Sequence, residues 1–127
     1  MGRAREILTI LKGSTRPLSA YDLRDRFAET GVRVAPTQIY RAIGQLKEAG
    51  LVFRVETRNA YIAADHAHPP DEPVALLVCE CCGRVEEADA AFIAPALTPA
   101  AIARGFTPHR TSLEVIGECG QCRDQSP

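Results

Sequence analysis

The stretch Ala35–Ile62, APTQIYRAIGQLKEAGLVFRVETRNAYI, changes its hydrophobic period partway along, and that change decides the fold. Pro36 suits a first helical turn, where its missing N–H has no acceptor to lose. Ile39, Ile43 and Leu46 then recur at helical spacing as a buried stripe, and Gly50 stops the helix. From Leu51 the pattern alternates. Leu51, Phe53 and Val55 share one face, with Arg54 and Glu56 on the other. Arg58-Asn59 can turn the chain into a second strand containing Tyr61.

Upstream, Ile7, Leu8 and Leu11 predict a first helix that Gly13 can end. Ser19-Ala20-Tyr21-Asp22 reads as an N-cap with an acidic residue at the third helical position. Ala20, Leu23 and Phe27 form the stripe of a second helix, ended by Gly31. Three short helices followed by a hairpin predict a winged helix-turn-helix. On the third helix, Thr37, Arg41 and Gly44 point away from the apolar stripe, and Gln38 and Tyr40 flank that outward face. Arg can read guanine or meet phosphate, Gln can read adenine, and a small residue permits close approach.

Charge agrees with a nucleic-acid partner for this half. Residues 1–64 carry eleven Lys/Arg against six Asp/Glu, while residues 65–127 carry four against ten. The chain's overall charge of −1 hides a basic half and an acidic half.

The acidic half holds all five cysteines, in LLVCECCG (76–83) and GECGQCRD (117–124). The chain has no apolar run near transmembrane length, and its first residues lack the apolar core of a signal peptide. A cytoplasmic location is expected, where thiols stay reduced. Two C-x-x-C knuckles offer the four soft ligands of a tetrahedral zinc. Gly83 follows Cys82 where a tight knuckle needs a residue without Cβ, which favours Cys79, Cys82, Cys119 and Cys122 as ligands and leaves Cys81 spare. The 36 residues between the knuckles must then fold so that their ends meet at the metal. ADHAHPPDEP (64–73) reads as a hinge and VALLVC (74–79) as a buried strand. ADAAFIAPALTPAAIARG (88–105) reads as a helix interrupted by Pro95 and Pro99, and TSLEVIGEC (111–119) as a returning strand. The expected organisation is a DNA-binding domain over 1–64, a hinge over 65–73 and a small α/β domain over 74–127, in an α+β chain.

PLSAYDLRDRF (17–27), the stretch at 35–62, LLVCECCGRVEE (76–87) and GF with SLEVIGECGQC (105–122), in that order, resemble the ferric uptake regulator family, closest to its zinc uptake regulator branch. The resemblance runs from about Arg5 to Cys122. It implies a homodimeric, metal-responsive repressor of metal uptake genes that binds a double-stranded operator. It also implies one structural Zn2+ per chain in the four-cysteine site, and no membrane or small-molecule substrate. By position, Tyr21 and Arg41 become the base-contacting pair, with Tyr40 also near DNA; Thr37 and Gln38 complete the candidate DNA-binding set.

The resemblance breaks at the family's exchangeable metal site. Its ligand positions fall on Phe53, Ala64 and Glu72, and only an acidic ligand survives, as Glu87. PVALL (73–77) stands in place of a histidine-rich cluster, and His109 lies one position before the usual histidine. Three readings stay open. A rearranged site uses His66 and His68, with Asp65 or Glu72, and Glu87 to bind a second divalent metal. The sensory site is lost. Cys81 acts as a thiol sensor.

An enzyme is not expected. A zinc deaminase pairs H-x-E with P-C-x-x-C, whereas this chain has His66-Ala67-His68 and no proline before Cys79. Four cysteines would also leave zinc no water position. The competing binding-class reading is a winged-helix and zinc-ribbon scaffold for protein partners, separable by the absence of a symmetric DNA footprint.

Overall fold

A computed structural model describes residues 2–69, 72–109 and 111–125. The architecture is α+β, and the chain divides into two compact units, Met1–His68 and Pro69–Pro127. Pro70 and Asp71 of the expected hinge lie outside the described residues.

In the first unit, α1 (Gly2–Lys12), α2 (Ala20–Glu29) and α3 (Pro36–Glu48) precede a hairpin of β1 (Val52–Val55) and β2 (Ala60–Ala63). Helices α1 and α2 pack on α3. The expected stripes meet in one core of Ile7, Leu11, Leu23, Phe27, Ile39, Ile43, Leu46 and Val52. Ser19 caps α2 reciprocally. Its Oγ accepts from the Asp22 N–H at 3.1 Å, and its own N–H donates to Asp22 Oδ2 at 2.9 Å. Ser19→Ala should cost about 1 kcal/mol of stability, read as a lower denaturant midpoint at unchanged slope.

The N-cap of α3 is Ala35, which has no side-chain acceptor. Gln38 turns back instead, and its Oε1 accepts from the Ala35 N–H at 3.2 Å. The hairpin is tied to the helices where Leu18 and Tyr61 exchange backbone hydrogen bonds of 2.9 and 2.8 Å. Among the described residues, Asn59 in the wing turn is the one non-glycine with positive φ, at 49°. Asparagine tolerates that conformation.

The wing does not bury the face that alternation predicts. Val52 and Val55 are buried, while Leu51 and Phe53 are only half-buried. A two-stranded ribbon of four residues per strand twists strongly, so one face does not stay turned to the core along its length.

The second unit contains β3 (Val74–Cys79), β4 (Val85–Asp89), α4 (Ile93–Ala103), β5 (Ser112–Gly117) and α5 (Gly120–Gln125). Its sheet order is β4-β3-β5, with β3 antiparallel to β4 and parallel to β5. A parallel pair needs a long crossover, and α4 lies within it. The expected interruption of this helix is corrected: α4 is continuous from Ile93 to Ala103 with Pro99 inside it. Pro95 falls in the first turn, where its missing N–H breaks no helical bond. The alanines and leucine around Pro99 are strong helix formers that carry the segment past it. Helix α5 was not expected, because six polar-rich residues carry no legible periodicity. Among the described residues, no helix is long and apolar enough to cross a membrane.

Candidate metal centre and nucleic-acid interface

The four-cysteine group lies wholly in the second unit and is built by the sheet. Strand β3 ends at Cys79, and the Gly83 N–H donates to the Cys79 carbonyl at 2.9 Å. That turn needs Gly83 at φ 82°, a conformation in which a Cβ is unfavourable. The Cys79 ladder position pairs with Gly117, and the Glu80 N–H reaches the Gly117 carbonyl at 2.8 Å. The parallel register therefore delivers Cys119 beside the first knuckle, and α5 turns Cys122 inward, where it is buried.

The sulfurs of Cys79, Cys82, Cys119 and Cys122 all lie within 4.8 Å of one another. Two of the separations are 3.7 Å for Cys79–Cys122 and 3.9 Å for Cys82–Cys119. Four sulfurs about 2.3 Å from one tetrahedral zinc stand roughly 3.8 Å apart. The geometry fits the ion. Cys81 is exposed and is not one of the four, and no disulfide links any of the five cysteines.

The Cys79 Sγ accepts from the Cys82 N–H at 3.4 Å and the Cys119 N–H at 3.3 Å. Those donors, Cys82 first, bring the Cys79 thiol down to about 6. Cys122 moves upward instead, through hydrogen bonding with neighbouring thiols, that of Cys81 first and then Cys119, and through burial. A divalent metal displaces the thiol protons of such a cluster.

The DNA-facing candidates belong to the first unit. Thr37, Gln38, Tyr40 and Arg41 are exposed on α3, and Gly44 is half-buried. Tyr21 on α2 is 61% exposed and Tyr40 is 50% exposed. They are the large apolar side chains that this unit leaves in solvent among its described residues, which suits a surface that meets a ligand. Arg24, which the sequence did not single out, lies over the Tyr21 ring at 5.1 Å and bonds to Asp25 Oδ1 at 3.3 Å. Its helical offset of three from Tyr21 was the available signal. Arg54 of the wing is tied to Glu56 at 2.8 Å and Asn59 at 2.7 Å, so its charge is largely matched within the hairpin. Opposite it, burial pushes the Tyr61 phenol above its usual range, with the Arg54 guanidinium acting the other way.

His66 and His68 close the first unit, with ring centroids 4.1 Å apart and Phe53 5.2 Å from His68. Asp65 and Glu72 are exposed. Phe53 is half-buried and Ala64 is buried, so two positions that would carry ligands in the resembling family are apolar packing here. Glu87 is half-buried on β4 of the second unit, and His109 is exposed beyond α4.

The profile of the ferric uptake regulator family matches residues 2–116. A zinc uptake regulation protein of Escherichia coli (strain K12) is 31% identical over 117 residues, covering 92% of this chain and 68% of that protein. The zinc uptake regulation protein of Mycobacterium tuberculosis (strain CDC 1551 / Oshkosh) is 26% identical, covering 92% and 88%. Among solved structures, holo XcZur matches with a TM-score of 0.88 at 30% identity, covering 98% of this chain and 86% of that one. A zinc uptake regulator complexed with zinc and DNA matches with a TM-score of 0.90 at 29% identity, covering 98% and 83%.

Proposed function

The chain belongs to the ferric uptake regulator family, and from that premise we propose that it is a metal-responsive, sequence-specific repressor of zinc uptake genes. It works as a homodimer on a double-stranded operator in the cytoplasm and catalyses no reaction. The observation that carries this reading is the match, across 98% of the chain, to a zinc uptake regulator solved with zinc and DNA.

The roles divide along the chain. Residues 1–64 read DNA, with Arg41 and Tyr21 on base edges and Thr37, Gln38 and Tyr40 around them. Residues 65–73 form the hinge. Residues 74–127 dimerise and hold one structural zinc between Cys79, Cys82, Cys119 and Cys122. Support for dimerisation comes from apolar surface on the second unit. Leu77 and Val115 sit side by side on β3 and β5, and are 40% and 58% exposed. Phe92, Ile102 and Phe106 around α4 are exposed as well. Buried against a second copy, such surface is stabilising.

A second, regulatory divalent ion is assigned to His66 and His68, with Glu87. Paired imidazoles and a carboxylate suit zinc, iron or manganese. The test is titration of chelated protein onto operator DNA with and without each metal, in wild type and in a His66→Ala/His68→Ala double variant. Wild type should gain about tenfold to hundredfold in affinity, about 1.4–2.7 kcal/mol of coupling. The double variant should lose that gain. Equal binding by wild type in every condition would mean a regulator without metal sensing. An identical response in the variant would move the switch to other residues.

A further inference from the structure

The turn between α2 and α3 leaves an open cleft of about 710 Å³ at the start of the reading helix. Arg24, Arg33, Thr37 and Gln38 line it, together with the apolar Val32 and Val34. Both arginines are exposed, and Arg33 has no ion-pair partner among the described residues. The start of α3 adds partial positive charge at the same place. Its first turn holds no acidic residue, and its N-cap Ala35 offers no side-chain acceptor. The Thr37 N–H meets no acceptor among the described residues. Arg24 also faces away from the cleft. Its guanidinium carbon lies 5.1 Å from the centre of the Tyr21 ring. Its Nε and Nη2 donate to Asp25 Oδ1 at 3.4 and 3.3 Å. A guanidinium has five N–H donors, so its Nη1 edge is left for another acceptor.

We propose that this cleft receives a backbone phosphate of the bound DNA, and that Arg24, held between that phosphate and the Tyr21 ring, is a positioning residue for Tyr21. The inference rests on the reading of this unit as a DNA reader and extends it to Arg24 and Arg33, which lie outside the base-reading set. Two guanidinium groups and an unfilled helix N-terminus line one cleft, and an anion is the ligand that satisfies all three. Phosphate oxygens match the planar fork of a guanidinium. Thr37 lines the cleft and stands one helical turn before Arg41 on the same face of α3. A strand held by its phosphate at Thr37 therefore passes its base edges along Arg41, as backbone contacts set register for base contacts. Tyr21 is 61% exposed, so little else restrains its ring than the guanidinium stacked on it. A phosphate that fixes Arg24 thereby fixes the ring.

The two arginines differ in a way that separates the two roles. Both line the cleft, but only Arg24 stacks on Tyr21. Full-length, zinc-loaded wild type would first select an operator duplex from a random pool. Wild type, Arg33→Ala, Arg24→Ala, Tyr21→Ala and the Arg24→Ala/Tyr21→Ala double variant would then be titrated onto that duplex and onto random-sequence DNA over a series of salt concentrations. Both arginines are exposed, and the Arg24–Asp25 pair is a solvent-facing one that contributes little, so thermal midpoints should stay at the wild-type value.

Arg33→Ala should weaken binding to both DNAs alike and lower the salt slope by about one. Arg24→Ala should lower the slope by the same amount and, in addition, cut the preference for the operator about threefold or more. In the Tyr21→Ala background, Arg24→Ala should lower the slope again but take away no further preference. Salt slopes unchanged in both arginine variants overturn the phosphate site. An equal loss of preference from Arg24→Ala with and without Tyr21 overturns the positioning role. A wild type that selects no operator overturns the reading of this unit as a sequence-specific reader, and the slopes on random DNA still decide the phosphate site.

Discussion

Cys79→Ser and Cys122→Ser should each leave the second unit unfolded, free of zinc and unable to dimerise. A structural zinc contributes about 10–16 kcal/mol of apparent folding free energy at neutral pH. Whole domains are stable by only about 5–15 kcal/mol. The second unit has little else to rely on. Among its described residues, the buried apolar side chains are Ala75, Leu76, Val78 and Ala90, together with Cys79 and Cys122 themselves. The cage is therefore part of the core as well as a brace around it. Zinc content, circular dichroism and solution mass are the measurements.

Cys81→Ser should change none of the three, because Cys81 is exposed outside the four-sulfur group. Zinc loss in Cys81→Ser together with zinc retention in Cys82→Ser would reverse the assignment. Acid acts on the same cage with a definite sign. The Cys79 thiol is held down to about 6 by the backbone donors of Cys82 and Cys119. A depressed thiol contributes fully above its unfolded value and loses that contribution as pH falls through its folded value. Bound zinc competes with the proton at all four sulfurs, so acidification should release zinc and unfold the second unit together.

Arg41→Ala should weaken operator binding far more than binding to random DNA. Loss of one good bidentate base contact costs about 1–3 kcal/mol of discrimination, or roughly fivefold to 150-fold. Arg41 is exposed on α3, one turn beyond Thr37 and next to Tyr40, with the buried stripe of Ile39, Ala42 and Ile43 behind it. Its removal therefore touches no core contact, and the thermal midpoint should not move. A phosphate contact would behave differently, weakening both DNAs alike and lowering the salt slope by about one. Equal losses on the two DNAs would take Arg41 out of the base-reading role. Gln38→Ala should mix the two kinds of effect, since its amide oxygen also serves the Ala35 N–H at the start of α3.

The first unit was legible in the sequence because its signals are local. A stripe at helical spacing, a Ser19–Asp22 capping pair, a proline at Pro36 and glycines at Gly31 and Gly50 each specify conformation over one or two turns. The structure realises them as α2 and α3. The two C-x-x-C pairs were legible for the same reason, since each knuckle is a short turn, and Gly83 distinguished Cys82 from Cys81 through its positive φ.

Other features depend on atoms distant in the chain. That Val52 and not Leu51 is fully buried, and that α5 carries Cys122 inward, were settled by packing. So was the seating of His68 on Gly50. Gly50 could be read as a helix stop, but seventeen residues, the wing among them, separate it from His68, whose backbone makes its missing Cβ indispensable. Short-range periodicity and turn chemistry act between neighbours and are written in residue order. A contact closed across the wing exists only once both ends have been brought together, so only the tertiary structure could decide it.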